Sequence, residues 1–254
     1  MGRLAGKRAV ITGAGSGIAK AATQIFVSEG AQVAVAEIDE EKGQASAVEA
    51  GDAAFYIHTD VTDEASVNAT MEEAKKRLGG IDILFNCAGG SLIDDNSVTE
   101  VDMSIWDHTI PLDLKGPFLC CRHGVPKLIE SGGGSIVNVS SVVALRGNHP
   151  AHVYSAAKGG IISLTRSLAG VYSDQGVRAN AICPGLIKTQ RILDRYIERE
   201  RPNSRAGSVG TFESYPFGVG EPKDIANIAL FLASDESRMV NGAIIPAEGG
   251  ISAY

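Results

Sequence analysis

Near the start of the chain, the apolar run Ala9-Val10-Ile11 leads directly into Thr12-Gly13-Ala14-Gly15-Ser16-Gly17-Ile18, and a helical pattern then runs to Glu29. A buried strand, a glycine-rich turn and a helix in that order admit few folds. Glycines allow a tight turn and let backbone N–H groups approach an anion, while the start of the helix adds partial positive charge. Gly13, Gly15, Ser16, Gly17 and Ile18 are therefore candidate residues for holding a pyrophosphate. Glu37 ends the next apolar run, 20 residues after Gly17. A carboxylate there can accept from ribose hydroxyls; the alternative for Glu37 is a solvated strand end.

The rest of the chain repeats the alternation. Apolar runs at 33–36, 54–57, 81–85, 135–139, 177–183 and 243–245 alternate with helical patterns from Glu40, after Thr62-Asp63, after Asp102, and over 154–172 and 222–233. Asp63 is placed as an N-cap, and Gly79-Gly80 as the stop of its helix. Pro111 is expected to break or kink the long helical region after Asp102. Near-continuous apolar strands separated by helices predict a parallel sheet covered on both faces. Right-handed crossovers then give a doubly wound α/β fold with seven parallel strands. No linker or repeat divides residues 1–254, so one domain is expected. A charged insertion at about 188–216 stands out, and loops of that length usually serve function.

Composition removes several function classes. With 254 residues and a net charge of −7, the chain lacks the basic face a nucleic-acid binder needs. Its apolar content of 44% is ample for a buried core. No stretch approaches the roughly 20 apolar residues of a membrane span. Cys87, Cys120, Cys121 and Cys183 show no CxxC pair and no zinc spacing, so they are read as buried apolar residues of a reducing cytoplasm, and no metal is expected.

Tyr154-Ser155-Ala156-Ala157-Lys158 places a phenol and an ammonium four residues apart, on one face of a helix. Ser140-Ser141 ends the fifth strand, and doubly wound sheets bind ligands at the carboxyl ends of their strands. A hydroxyl, a phenol and a lysine can converge there.

With these residues in view, the chain resembles the short-chain dehydrogenase/reductase family over essentially its whole length. The glycine turn resembles the family's TGxxxGxG, with Ala19 in place of the last glycine. Asp60-Val61 resembles the pair that contacts adenine, and Asn86-Cys87-Ala88-Gly89 resembles NNAG with Cys for the second Asn. Ser141, Tyr154 and Lys158 match the family's catalytic serine and YxxxK, 13 residues separating Ser141 from Tyr154. Pro184-Gly185, Ile187 and Thr189 resemble the segment that holds the nicotinamide, and Asn241-Gly242 with Glu248-Gly249-Gly250 the C-terminal pattern. One position departs: in Trp106-Asp107-His108-Thr109-Ile110-Pro111-Leu112-Asp113-Leu114-Lys115-Gly116, Asp113 stands where the family carries a catalytic Asn.

The resemblance implies a Rossmann-type domain that binds NAD, with NADP disfavoured by Glu37, and that interconverts a small secondary alcohol and a ketone. Tyr154 would be the general acid/base, its pKa lowered by Lys158 and the oxidised nicotinamide. Ser141 would orient the substrate oxygen, and Asp113 would join the proton relay. A non-catalytic dinucleotide sensor is the alternative, favoured only by Asp113. The resemblance also implies a cytoplasmic homotetramer, with interfaces through 116–128, 154–171 and the C-terminal strand. Residues 189–201 can be written as an amphipathic helix whose Arg191, Arg195 and Arg199 form a stripe. These arginines, or Arg146, are candidates for an anionic substrate group, the alternative being a solvated face. His108, His123, His149, His152 and Trp106 are read as loop, helix or packing residues.

Overall fold

The computed structural model describes residues 2–199 and 217–253. Seven strands form one sheet: β1 (Arg8–Thr12), β2 (Gln32–Glu37), β3 (Ala54–His58), β4 (Ile83–Asn86), β5 (Gly134–Val139), β6 (Val177–Pro184) and β7 (Ile244–Ala247). Their order is β3-β2-β1-β4-β5-β6-β7, and every pairing is parallel. The helices are α1 (Gly17–Ser28), α2 (Glu40–Ala50), α3 (Glu64–Leu78), α4 (Met103–Ile110), α5 (Gly116–Glu130), α6 (His152–Val171), α7 (Gln190–Arg199) and α8 (Pro222–Ala233). This is the doubly wound Rossmann-type α/β domain expected from the alternation.

Strand side chains alternate between two cores, as the pleat requires. Ile11, Val33, Val35, Ile83 and Phe85 pack with α1 and α8 on one face. Val10, Ala34, Ala36, Leu84 and Ile136 pack with α3, α5 and α6 on the other. The order in which strands are added reverses between β1 and β4, and register sets Thr12 beside Asn86 at that point. Crevices at such a reversal are where open α/β sheets bind ligands.

Helix ends follow their sequence signals. Asp39, Asp63 and Asp102 accept from the amides of Lys42, Ala65 and Ser104, and α3 stops at Gly79 in the left-handed conformation, φ 79°. The α-helical region after Asp102 is interrupted at Pro111, though not ended there. Pro111 has no N–H to donate, so the chain widens into a single π-turn over Pro111–Lys115, closed by the Gly116 amide on the Pro111 carbonyl. α5 then continues from Gly116. The expected helix at 189–201 is present as α7, Gln190–Arg199, whereas residues 200–216 of the insertion, and the side chains of Arg195 and Arg199, lie outside what is described. No helix among the described residues is long and apolar enough to cross a membrane, and among them no group of His, Cys, Asp and Glu could hold a metal. Cys120, Cys121 and Cys183 are buried.

Candidate active site

The glycine turn is shaped by close approach. Gly13 has φ 68°, and a Cβ there would lie 2.7 Å from Ala88 Cα. Gly17 has φ 54°, with Thr189 Cγ2 3.0 Å from where its Cβ would be. Thr12 Oγ1 accepts from the amides of Cys87 and Ala88 at 3.1 and 3.2 Å, so the ends of β1 and β4 are tied together behind the turn. Ser46 of α2 donates to the Ala14 carbonyl at 2.7 Å. Ser16 caps α1 without any side-chain hydrogen bond, which leaves the first amides of the helix available to an anion.

The other predicted binding residues surround this turn. Glu37 Oε2 accepts from the Gly15 amide at 3.0 Å, and Oε1 accepts from Ile38 and Asp39 at 2.9 and 3.1 Å. Asp60 Oδ1 is held by the Thr62 amide and hydroxyl, both at 2.8 Å, and Val61 is buried beside Gly116. Pro184 ends β6, the Gly185 amide donates to the Ala247 carbonyl at 3.1 Å, and Ile187 bridges to Gly220. Thr189 Oγ1 is buried without a partner among the described residues. A buried hydroxyl in that state is costly unless something accepts from it. It sits beside Gly17 and the open end of α1, so the residues present fit a bound pyrophosphate. Asn86 behaves differently. Its side chain turns into the sheet, with Nδ2 2.9 Å from Asn138 Oδ1, and Asn138 Nδ2 reaches Thr165 Oγ1 at 3.0 Å. That buried chain joins β4, β5 and α6.

Ser141, Tyr154, Lys158 and Asp113 come together at the carboxyl end of β5. Ser141 is buried, and its hydroxyl accepts from the Val143 amide at 3.3 Å and lies close enough to the Tyr154 phenol to favour its ionised form. Lys158 Nζ lies 5.5 Å from the centre of the Tyr154 ring. It donates to the Val139 carbonyl at 3.1 Å and lies 3.0 Å from Asp113 Oδ1. Ser140 Oγ donates to the Lys158 carbonyl at 2.8 Å, which pins this turn of α6 to the strand end. Burial works against the Lys158 ammonium, yet Asp113 and Tyr154 together hold its pKa above the ordinary value.

The expected lowering of the Tyr154 pKa is not what the protein alone produces. Burial pushes the phenol above its usual value, and Asp113 adds to this. Lys158, Arg191 and the Ser141 hydroxyl oppose the rise without cancelling it. The expectation counted the lysine but neither the burial of the phenol nor the carboxylate beside the lysine.

One residue of this site was not found from sequence. Asp95, in the loop after β4, is 5% exposed. Its carboxylate accepts from the amides of Val153 at 3.2 Å and Tyr154 at 2.7 Å. The local cap of α6 is Ala151, with no side chain to offer; Asp95 supplies the cap from 59 residues away and anchors Tyr154 by its own amide. No local pattern signals such a partner. The histidines act in loops and on surfaces: His152 Nδ1 accepts from the Val98 amide at 2.9 Å, His149 Nδ1 from Ala151 at 3.2 Å, and His123 lies 3.2 Å from Glu64.

A parallel sheet with a glycine-rich turn at its switch point, beside a serine, tyrosine and lysine, fits a dinucleotide-dependent oxidoreductase. Comparison narrows the class. The family model described as enoyl-(acyl carrier protein) reductase matches residues 13–252. The chain is 40% identical to the uncharacterized oxidoreductase YxbG of Bacillus subtilis (strain 168), over all of this chain and 94% of that one. It is 36% identical to a meso-2,3-butanediol dehydrogenase of Serratia marcescens, over 99% and 96% of the two chains. A solved short-chain dehydrogenase/reductase from Burkholderia xenovorans superposes with a TM-score of 0.89 at 34% identity, over 100% and 99% of the chains. The chain belongs to the short-chain dehydrogenase/reductase family, and it is an NAD(P)-dependent oxidoreductase.

Proposed function

We propose that the protein interconverts a compact secondary alcohol and its ketone, using NAD(H). The observation that carries this reading is the convergence of Ser141, Tyr154 and Lys158 beside the glycine turn. The bound dinucleotide would accept or return the hydride and, when oxidised, bring a positive charge to the site. Gly13, Gly15, Ser16, Gly17 and Ile18 would hold its pyrophosphate, with Thr189 donating from across the turn. Asp60 and Val61 would border the adenine. Ala88, Gly89, Pro184, Gly185 and Ile187 would line the nicotinamide end, with Asn86 holding the strand end through its buried side chain. Ser141 hydrogen-bonds the substrate oxygen and fixes its orientation. Tyr154 gives its phenolic proton to that oxygen in reduction and takes it back in oxidation. Lys158 supplies positive charge beneath the phenol and reaches the ribose. The relative that acts on meso-2,3-butanediol supports a small secondary alcohol as substrate. Arg191, whose Nη1 donates to the Gly89 carbonyl at 3.0 Å, is near enough to act on the phenol's charge; it is the described arginine best situated to meet a substrate carboxylate.

Absorbance of the reduced nicotinamide with a panel of secondary alcohols and ketones, neutral and carboxylated, tests the reading. Hydride transfer with members of the panel is expected. Binding of the dinucleotide with no turnover on any of them would favour the sensor instead.

The choice of NAD over NADP rests on Glu37. Its carboxylate sits 3.0 Å from the Gly15 amide, where a 2′-phosphate would be repelled. Lys42 is the cation nearby, but it is bound to Asp39 at 2.5 Å. Glu37→Ala is expected to move the ratio of kcat/KM values toward NADP by about tenfold or more, the effect of removing about 1.4 kcal/mol of repulsion. A ratio unchanged by the substitution would remove Glu37 from cofactor choice.

A homotetramer is proposed with this activity. An apolar groove of about 520 Å³ lies between α5 and α6, lined by Phe118, Val125, Ile129, Leu164, Leu168 and Tyr172, and Phe118 is 47% exposed. A second copy of the same face would fill it, as isologous interfaces do. Light scattering at micromolar concentration should give four times the 26.5 kDa chain mass, and Leu164→Arg should lower it. A monomeric wild-type mass would overturn the assembly.

A further inference from the structure

Asp113 is fully buried in the π-turn after Pro111. Oδ1 accepts from the Gly90 amide at 2.8 Å and faces Lys158 Nζ at 3.0 Å. A Cβ on Gly89 would come within 2.3 Å of that oxygen, so Gly89 leaves the space the carboxylate occupies. Oδ2 is buried with no partner among the described residues. The backbone has thus been widened and a side chain omitted to bring one carboxylate against one ammonium.

We propose that Asp113 is a positioning residue that acts through Lys158: it holds the ammonium in a fixed ion pair beneath the phenol and sets how readily Tyr154 gives up its proton. The proposal rests on the Tyr154 reading above. The groups facing this pair come from several elements. Cys87, after β4, is held neutral, its thiol pushed up to about 12 by desolvation. Cys183, on β6, is likewise raised by burial, and Glu248 faces Cys183. Arg191 reaches the phenol from α7, but it is exposed and screened by solvent. Asp95 meets Tyr154 at its backbone amide, and Ser141 at its hydroxyl. Asp95 and Glu248 are buried too, but among these described groups Lys158 and Asp113 are the buried charges that act on the phenol. A lysine alone would draw the phenolic proton off; its paired carboxylate cancels much of that pull.

Asp113→Asn keeps an oxygen for the Gly90 amide and removes the charge. Ultraviolet difference titration of tyrosinate in the free protein, read as wild type against Tyr154→Phe, isolates the ionisation of Tyr154. Asp113→Asn should move it downward by about 1–3 pH units, and the acid limb of kcat/KM for alcohol oxidation should move the same way. A titration that does not move overturns the proposal. It needs no turnover, so its failure is distinct from a failure of alcohol oxidation, which would overturn the functional reading. Should Asp113→Asn not fold, thermal unfolding of Lys158→Met against Lys158→Met/Asp113→Asn decides the pairing. The double variant is expected to be the more stable, because it no longer buries an unpaired carboxylate, and a double variant no more stable than the single one overturns the proposal.

Discussion

Tyr154→Phe is expected to lower turnover by about two to four orders of magnitude while leaving dinucleotide affinity within a few-fold of wild type. The substitution removes one oxygen. That oxygen faces Ser141, whereas the residue's anchor to the fold is its amide on Asp95. Phe keeps the ring against Lys158 and keeps the amide. The loss therefore falls on proton transfer and not on folding or on the shape of the glycine turn. A group that acts in the transition state lowers kcat and kcat/KM together, so KM should change little. Stopped-flow hydride transfer with the best substrate of the panel, together with fluorescence titration of the reduced dinucleotide, checks both halves. Turnover within a few-fold of wild type would exclude Tyr154 as the acid/base.

Lys158→Ala should have two large effects at once. The ammonium is 3% exposed and the carboxylate it faces is 0% exposed. Removing one partner of a buried pair leaves the other charged and unpaired, at a cost of about 3–5 kcal/mol. It also takes the donor from the Val139 carbonyl. The Tm is expected to fall by about 10 °C, given a shift of about 2–4 °C per kcal/mol for a domain of this size. Turnover should fall as well, since the phenol loses its nearest cation and the ribose a donor. Calorimetry and the nicotinamide assay measure the two separately. A Tm within about 2 °C of wild type would mean that the pair contributes no net stability.

Short windows of sequence contained much of the site. The turn from Thr12 to Ile18 specifies its own geometry, because positive φ at Gly13 and Gly17 is a demand that glycine meets locally. Glu37 is legible because strand ends and their spacing follow from apolar runs, and Asp63 because capping involves amides only a few residues on. The alternation that splits Ile11 from Val10 between two cores is the pleat itself. Tyr154 and Lys158 share a face because a helix has a fixed pitch.

Other features depended on which distant segments meet. Asp95 looks like an ordinary loop aspartate until the loop after β4 folds onto the start of α6. Asn86, Asn138 and Thr165 are three unremarkable polar residues until β4, β5 and α6 enclose them. Pro111 reads as a break, and only the surrounding helices and sheet decided that the chain would pass through it as a π-turn. That turn carries Asp113 to Lys158, 45 residues along the chain, and so adds a carboxylate to the burial that already raises the Tyr154 pKa. By itself the sequence determined the elements, the glycine turn and which side chains the candidate site would contain, because hydrophobic period, turn chemistry and helix pitch act over a few residues. The charge balance around the phenol was left to the tertiary structure, because Coulomb energy depends on distance and burial, and neither exists until the fold has closed.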